Sequence, residues 1–196
     1  MPNWAIEFGL RRIGVPKEVA EFIIMCCTGG TAQVVCEWGL SDQFDISRGV
    51  RQGDTMSPLL FVIFMDGLLL GQDMLHKGFV IASGTQHEVS VYGGCYMDDT
   101  FWCTEKFEEL QSMLQYHVTW SEYFGMKINY GKSTYTSHNV PAGQQATEVV
   151  VTIEGVRYEV MHKQGEQVVR YLGTYLSRPG GKHTQPDTGT NAESQN

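Results

Sequence analysis

Apolar residues at helical spacing mark several segments of the chain, which glycines and prolines separate. Residues 3–13 and 16–27 place apolar side chains three and four positions apart, which predicts two short helices that pack on a core. Ser57 and Pro58 are a helix-start signal, because a serine hydroxyl accepts a bond from a free backbone N–H and proline has none to leave unpaired. The helix predicted from there to about Leu75 is apolar nearly all round, so we expect it to be buried.

A further helix and several β-strands follow from the same pattern. Residues 105–124 have a strong helical period, and Gly125 is expected to end that helix. Residues 31–38 and 44–47 predict a hairpin, and Glu154-Gly155 between β-branched runs suits the tight turn of another. The other predicted strands are residues 79–82, 89–97, 101–103, 126–128, 147–153, 156–160 and 168–176. This order predicts an α+β fold, an antiparallel sheet of the split βαβ type with helices on one face.

Composition bounds the class of protein. With 196 residues, of which 42% are hydrophobic, the chain can bury the core of about one domain. Its five cysteines form an odd set without a Cys-x-x-Cys pair, so it offers neither a disulfide framework nor a zinc knuckle. Nothing at the N-terminus resembles a signal peptide, and the longest apolar run, residues 58–65, is too short to span a bilayer. We therefore expect an intracellular protein, in cytoplasm or nucleus, without a membrane partner.

The charge balance limits the affinity for nucleic acid. There are 14 basic against 22 acidic residues, which gives a net charge of −8. Proteins that bind nucleic acid draw most of their affinity from lysine and arginine contacts to phosphates. We therefore expect nucleic-acid binding to be weak.

The most informative residues are the adjacent carboxylates Asp98 and Asp99, which follow Tyr96 and Met97 between two β-prone segments. They are expected at the tip of a β-hairpin, where a turn brings consecutive side chains together. Adjacent carboxylates repel each other, and a hard divalent cation such as Mg²⁺ removes that cost while leaving positions for substrate phosphates. The pair therefore suggests half of a metal site for phosphoryl transfer. Alone, however, it would more often be a solvated turn.

Four sequence blocks in order favour the functional interpretation. Residues 48–61 read Arg-Gly-Val-Arg-Gln-Gly-Asp-Thr-Met-Ser-Pro-Leu-Leu-Phe, and the Tyr-Met-Asp-Asp block follows at 96–99. Residues 125–133 contain Gly-Met-Lys-Ile-Asn and Lys-Ser, and residues 170–173 read Arg-Tyr-Leu-Gly. Together they resemble motifs B, C, D and E in the palm of reverse transcriptases from non-LTR (LINE-like) retroelements. The resemblance covers about residues 4–177.

The resemblance implies an RNA-directed DNA polymerase that adds nucleotides to a primer 3′ end by two-metal phosphoryl transfer. The implied partners are an RNA template, a DNA primer and a deoxynucleoside triphosphate, and the implied cofactor is Mg²⁺ or Mn²⁺. Asp98 and Asp99 match the motif C carboxylates, which are both catalytic and metal-binding. The residues matching the other motifs are Gln52 and Gly53 near template and nucleotide, Lys132 near the triphosphate, and Leu172 and Gly173 in the primer-grip turn.

One family motif has no match in the sequence. Motif A, which carries the first metal-binding Asp, should precede the segment matching residues 4–16, and no carboxylate precedes Glu7. We therefore expect a partial palm over residues 1–177, followed by a disordered polar tail at 178–196. It would bind metal weakly and be inactive alone.

Two alternatives remain open. One is a non-catalytic, degenerate retroelement remnant that acts at most as a small folded or binding module. The other, an unrelated metal-binding α+β protein, would require four ordered motifs to coincide by chance.

Overall fold

Helices form where the apolar period predicts them. The computed structural model describes residues 1–27, 30–46, 49–50, 53–137, 148–163, 169–172 and 174–176. The helices are α1 (Asn3–Arg12), α2 (Lys17–Cys27), α3 (Ser57–Leu75) and α4 (Phe107–Tyr123). Gly14 follows α1 with a φ of +92°, and Gly125 follows α4 with a φ of +67°. These left-handed glycines end their helices as expected.

The described strands form five two-stranded ribbons and one three-stranded sheet, and all pairs but one are antiparallel. The ribbons pair β1 (Thr31–Ala32) with β4 (Phe44–Asp45), β2 (Val35–Cys36) with β3 (Gly39–Leu40), β5 (Phe79–Ile81) with β6 (Val89–Val91), β7 (Gly93–Tyr96) with β8 (Asp99–Trp102), and β12 (Val169–Tyr171) with β13 (Thr174–Leu176). The sheet has the order β10 (Val149–Ile153), β11 (Val156–His162), β9 (Thr134–Tyr135), and its β11–β9 pair is parallel.

Three strand predictions are wrong in detail. Residues 89–97 are split at Tyr92 into β6 and β7, next to Gly93 with its φ of +156°. Residues 168–176 contain a hairpin, β12–β13, instead of a single strand. Residues 126–128 form no strand, because the Met126 N–H folds back to the Ser121 carbonyl at 2.8 Å and completes the C-terminus of α4. The predicted tail at 178–196 lies outside the described residues.

Helix α3 is buried on one side only, which corrects the expectation that it is buried all round. Leu60, Phe64 and Leu68 are buried against neighbouring helices. Outside the buried side, Leu59 is 59% and Met74 77% exposed. By length and composition α3 is also apolar enough to cross a membrane, and in the structure its buried side packs against α1 and α4.

Helix α4 lies at the centre of the described structure. On one side its residues join a cluster with α1 and α3, in which the Trp120 and Phe64 rings are tilted with centroids 4.8 Å apart. On the other side Val118 packs against Val149 and Val151 of β10. The helix therefore joins the N-terminal helices to the C-terminal sheet.

The outer edge of β10 is occupied by side chains of α4. The Gln111 amide accepts the Val150 N–H at 2.7 Å and donates to the Val150 carbonyl. One turn later Gln115 pairs in the same way with Thr152, at 2.9 and 3.0 Å. These amides take the positions that a neighbouring strand would fill, so no described strand extends the sheet there. A mixed α/β structure with small antiparallel sheets is thus present, but a single palm-like split βαβ sheet is not confirmed.

Candidate active site

The carboxylates Asp98 and Asp99 lie at the end of the β7–β8 hairpin. Tyr96 and Asp99 form its last pair, and Met97 and Asp98 are the turn between them. Met97 has a φ of +53°, whereas Asp98 is not left-handed, which is the φ pattern of a type II′ turn. A left-handed methionine costs on the order of 1 kcal/mol, a strain that is common at functional turns. Both carboxylates are exposed.

Gly93 and Gly94 of β7 leave room for the large rings of the neighbouring strand β8. A side chain at Gly93 would collide with the Phe101 carbonyl and the Trp102 ring. At Gly94 an added Cβ would lie 2.8 Å from the Phe101 ring. The two glycines are therefore needed for the close approach of these rings to the strand.

A buried histidine attaches the hairpin to α4. The Trp102 indole N–H donates to His117 Nδ1 at 3.2 Å, and the two rings meet edge to face. Because an indole N–H can only donate, Nδ1 must accept, and the ring is neutral with its proton on Nε2. Burial lowers the pKa of His117 from 6.5 to about 4, which keeps this form at neutral pH.

The motif E hairpin contacts the same ribbon. The Tyr171 ring of β12 meets the Phe101 ring of β8 edge to face, with centroids 5.3 Å apart. Burial raises the pKa of Tyr171, and the charges of Cys95 and Asp99 nearby raise it further. Leu172 is exposed in the following turn with a φ of +47°, while its motif partner Gly173 lies outside the described residues. Motifs C and E are thus brought together.

The motif B turn is described only in part, since Gln52 lies outside the described residues. Gly53 is an exposed turn residue with a φ of +92°, a conformation that suits glycine. The capping prediction for Ser57 is wrong, because no side chain caps the helix at its first residue. Instead the Asp54 carboxylate accepts the Met56 N–H at 3.0 Å and closes the turn that precedes α3.

Lys132 lies in a 3₁₀-helix over Tyr130–Lys132, on the side of α4 that faces the three-stranded sheet. Its side chain is exposed, and no hydrogen bond or ion pair joins its ammonium group to a described residue. No described contact joins Lys132 to the carboxylates of the β7–β8 hairpin, so its role stays a prediction from the family motif.

As a metal site, the carboxylate pair is chemically suitable but incomplete. Exposed carboxylate oxygens are the donors that Mg²⁺ and Mn²⁺ prefer. Within the described ranges, however, no group of three or more His, Cys, Asp or Glu side chains is arranged to hold a metal. The pair fits an ion that takes its remaining ligands from water, substrate or another polypeptide.

Two residues near the hairpin escaped the sequence analysis. Tyr171 stands in the motif E block, and its position one residue before a turn was the signal for a contact with a neighbouring hairpin. His117 stands on the apolar side of the predicted helix at 105–124, where a single histidine suggests only core packing. Its partner, Trp102, belongs to a different predicted element, so the helical pattern of residues 105–124 could not reveal the contact between the two side chains.

Comparisons with known proteins agree with these motifs. The family model described as reverse transcriptase (RNA-dependent DNA polymerase) matches residues 5–176. A Pol polyprotein of the type-1 retrotransposable element R2 of Popillia japonica is 24% identical over 178 residues, which is 90% of this chain and 28% of the relative. That of the type-2 element R2DM of Drosophila melanogaster is 38% identical over 60 residues, 31% of this chain and 6% of the relative. The chain thus spans about a quarter or less of these relatives, and no solved structure gives a significant match.

Proposed function

Because the chain belongs to the reverse transcriptase (RNA-dependent DNA polymerase) family, we propose that it is the part of a non-LTR retrotransposon polymerase that carries the motif C carboxylates. In this proposal Asp98 and Asp99 serve nucleotide addition to a primer 3′ end on an RNA template. The observation that carries it is their placement: both carboxylates are exposed at the end of one hairpin, and the motif E hairpin packs against it.

Each matched residue then has a distinct task. Asp98 and Asp99 would hold Mg²⁺ or Mn²⁺, which when bound supplies the positive charge that favours attack by the primer hydroxyl and departure of pyrophosphate. Gln52 and Gly53 would border the templating base and incoming nucleotide, and Lys132 would meet the triphosphate. The turn at Leu172 and Gly173 would position the primer end next to the carboxylates, which the contact between Tyr171 and Phe101 supports.

A palm arrangement is proposed for the polymerase as a whole. The order of hairpin β7–β8, helix α4 and hairpin β10–β11 supports it, since α4 contacts both β8 and β10. The edge of β10 would then be closed by α4, and further strands of the palm sheet would pair with the β7–β8 ribbon.

The proposed cellular location is intracellular.

Residues 1–196 alone are expected to bind metal weakly and to lack polymerase activity. Dedicated sites for Mg²⁺ need more oxygen ligands than one carboxylate pair, and the described residues bring no third ligand to it. The alternative, a non-catalytic remnant, is favoured by the same observation. A polymerase segment and a non-catalytic remnant differ in whether Asp98 and Asp99 still bind metal.

Metal binding by the hairpin tests the proposal directly. We expect the wild-type chain to bind Mn²⁺ with a dissociation constant above the micromolar range. The double variant Asp98→Asn, Asp99→Asn should not bind it, because both carboxylates lose their charge. Water-proton relaxation at increasing Mn²⁺ concentration measures this. The control is Asp73→Asn, Glu108→Gln, which removes the same charge from exposed sites outside the hairpin. Equal binding by wild type and the hairpin double variant would favour the remnant.

A further inference from the structure

The β7–β8 hairpin has two faces, and the strand register divides the residues of β8 between them. Successive strand residues point to opposite faces. Trp102 therefore lies on one face, whereas Asp99 and Phe101 lie on the other. The Trp102 face packs on the cluster formed by α1, α3 and α4, together with Cys95 of β7. The face that carries Asp99 is thus on the opposite side of the ribbon from the helices.

The Phe101 ring on this outward face is held between two neighbours. Gly94 of β7 stands directly opposite Phe101, and an added Cβ there would come within 2.8 Å of the ring. The Tyr171 ring of β12 meets the Phe101 ring edge to face, with centroids 5.3 Å apart. Gly94 has no side chain that could direct the ring, so the orientation of Phe101 depends on the contact with Tyr171.

The contact between Tyr171 and Phe101 lies close to the carboxylate of Asp99. Asp99 is two residues before Phe101 on the same strand and the same face. Burial raises the pKa of Tyr171, and the charges of Cys95 and Asp99 raise it further, which places the Tyr171 hydroxyl within electrostatic reach of that carboxylate. A side chain that fixes Phe101 therefore also fixes the part of β8 from which Asp99 projects.

We propose that Tyr171 is a positioning residue for the metal-binding carboxylates. It acts through Phe101, whose ring holds the outward face of β8 and with it the end of the hairpin at Asp98 and Asp99. Carboxylates that are held in advance bind an ion without the entropic cost of ordering them, so the contact raises the affinity for metal. This inference rests on the proposed function, because it requires that Asp98 and Asp99 bind Mg²⁺ or Mn²⁺.

Mn²⁺ binding to the full chain, followed by water-proton relaxation, tests the role of the Tyr171 ring. Tyr171→Ser removes the ring and should bind Mn²⁺ about fivefold more weakly than wild type. Tyr171→Phe keeps the ring and should restore wild-type binding. The control is Tyr123→Ser, which removes a tyrosine that is 72% exposed at the end of α4 and should leave binding unchanged. Equal binding by wild type and Tyr171→Ser, or weak binding by Tyr171→Phe, would overturn the proposal.

A double-mutant cycle shows whether Tyr171 acts through Phe101. Phe101→Ser should weaken Mn²⁺ binding as much as Tyr171→Ser does, and the variant with both substitutions should be no weaker than either one. Losses that add in the double variant would contradict the proposal. Circular dichroism verifies that each variant is folded. If Tyr171→Ser does not fold, Tyr171→Leu replaces it, since leucine keeps apolar bulk but lacks the aromatic edge that meets Phe101.

The proposed function fails in a different way from this inference. If wild type and the Asp98→Asn, Asp99→Asn variant bind Mn²⁺ equally, the carboxylates do not hold the metal, and both the proposed function and the positioning role are excluded. If wild type binds Mn²⁺ through the carboxylates and Tyr171→Ser binds it equally well, only the positioning role of Tyr171 is excluded.

Discussion

Single residues determine how the carboxylate hairpin is held. Trp102 reaches across from β8 to His117 on α4, and Phe101 reaches in another direction to Tyr171 on β12. Both rings need the absence of a side chain opposite them, which Gly93 and Gly94 provide. The position of Asp98 and Asp99 is therefore set by the contacts of Phe101 and Trp102, two to four residues further along the chain.

The contact between Trp102 and His117 predicts a pH-dependent stability. The pKa of His117 is about 4 in the folded chain, against an ordinary 6.5, because burial disfavours the charged ring. The unfolded chain therefore takes up a proton between pH 6.5 and 4 that the folded chain does not. The free energy of unfolding should fall as the pH falls through this window, by up to about 3 kcal/mol.

Urea denaturation of wild type and His117→Gln across this pH range measures the effect. Glutamine offers an oxygen to the Trp102 N–H but cannot titrate, so its curve should be flatter between pH 6.5 and 4. The carboxylates contribute equally to both proteins and cancel in the difference. Parallel curves would mean that His117 is not buried in its neutral form.

At the level of elements, side chains of α4 replace a strand at the edge of β10. The amides of Gln111 and Gln115 lie one helical turn apart and match the backbone groups of Val150 and Thr152. Such a covered edge cannot pair with another chain. The position of α4 relative to the sheet is thereby fixed by these hydrogen bonds as well as by the apolar contacts of Val118.

Loss of these amides should destabilise the fold. We expect Gln111→Ala to lower the free energy of unfolding by about 1 to 2 kcal/mol, because a backbone N–H and a carbonyl lose their partners together. Gln111→Glu should cost at least as much at neutral pH, since a carboxylate cannot donate to the Val150 carbonyl. Glu108→Ala on the same helix, where the side chain is exposed, is the control for thermal or urea denaturation. Equal stability of the Gln111 and Glu108 variants would contradict the edge-covering role.

The helices and hairpins could be predicted because their signals are local. The apolar period located α1 to α4, and Glu154-Gly155 located the β10–β11 turn, where both residues have positive φ values of +46° and +79°. What could not be predicted depends on contacts between distant segments. The sequence of α3 predicts a wholly buried helix, because apolar composition does not show which neighbours are present. The sequence also gives no sign of the role of Gln111, because that role depends on β10 lying beside it.

The candidate site divides in the same way. The motifs located the carboxylate hairpin and the motif E turn, and the structure brings these two together. Gln52 and Gly173 lie outside the described residues, and Lys132 is not joined to the carboxylates by any described contact. Their roles stay predictions from the family motifs.

At the scale of the whole molecule, the chain is proposed to be one part of a polymerase. The relatives it matches are several times longer. Its net charge is −8, from which we expect weak binding to nucleic acid. Its described residues offer an exposed carboxylate pair without a third ligand. The exposed face of α3, and Trp38 in the hairpin between α2 and α3, leave further apolar surface uncovered. These features fit a segment that functions when it is joined to other parts.

Primer extension on an RNA template tests this central claim most directly. Residues 1–196 alone should extend no primer, because carboxylates that cannot enclose the metals do not align attacking and leaving oxygens. A fusion that supplies the fingers, motif A and thumb of a related element should extend it. Asp98→Asn should abolish that extension, and Asp73→Asn, which changes an exposed carboxylate on α3, should not. Extension by the unmodified chain, or by the fusion carrying Asp98→Asn, would contradict the account.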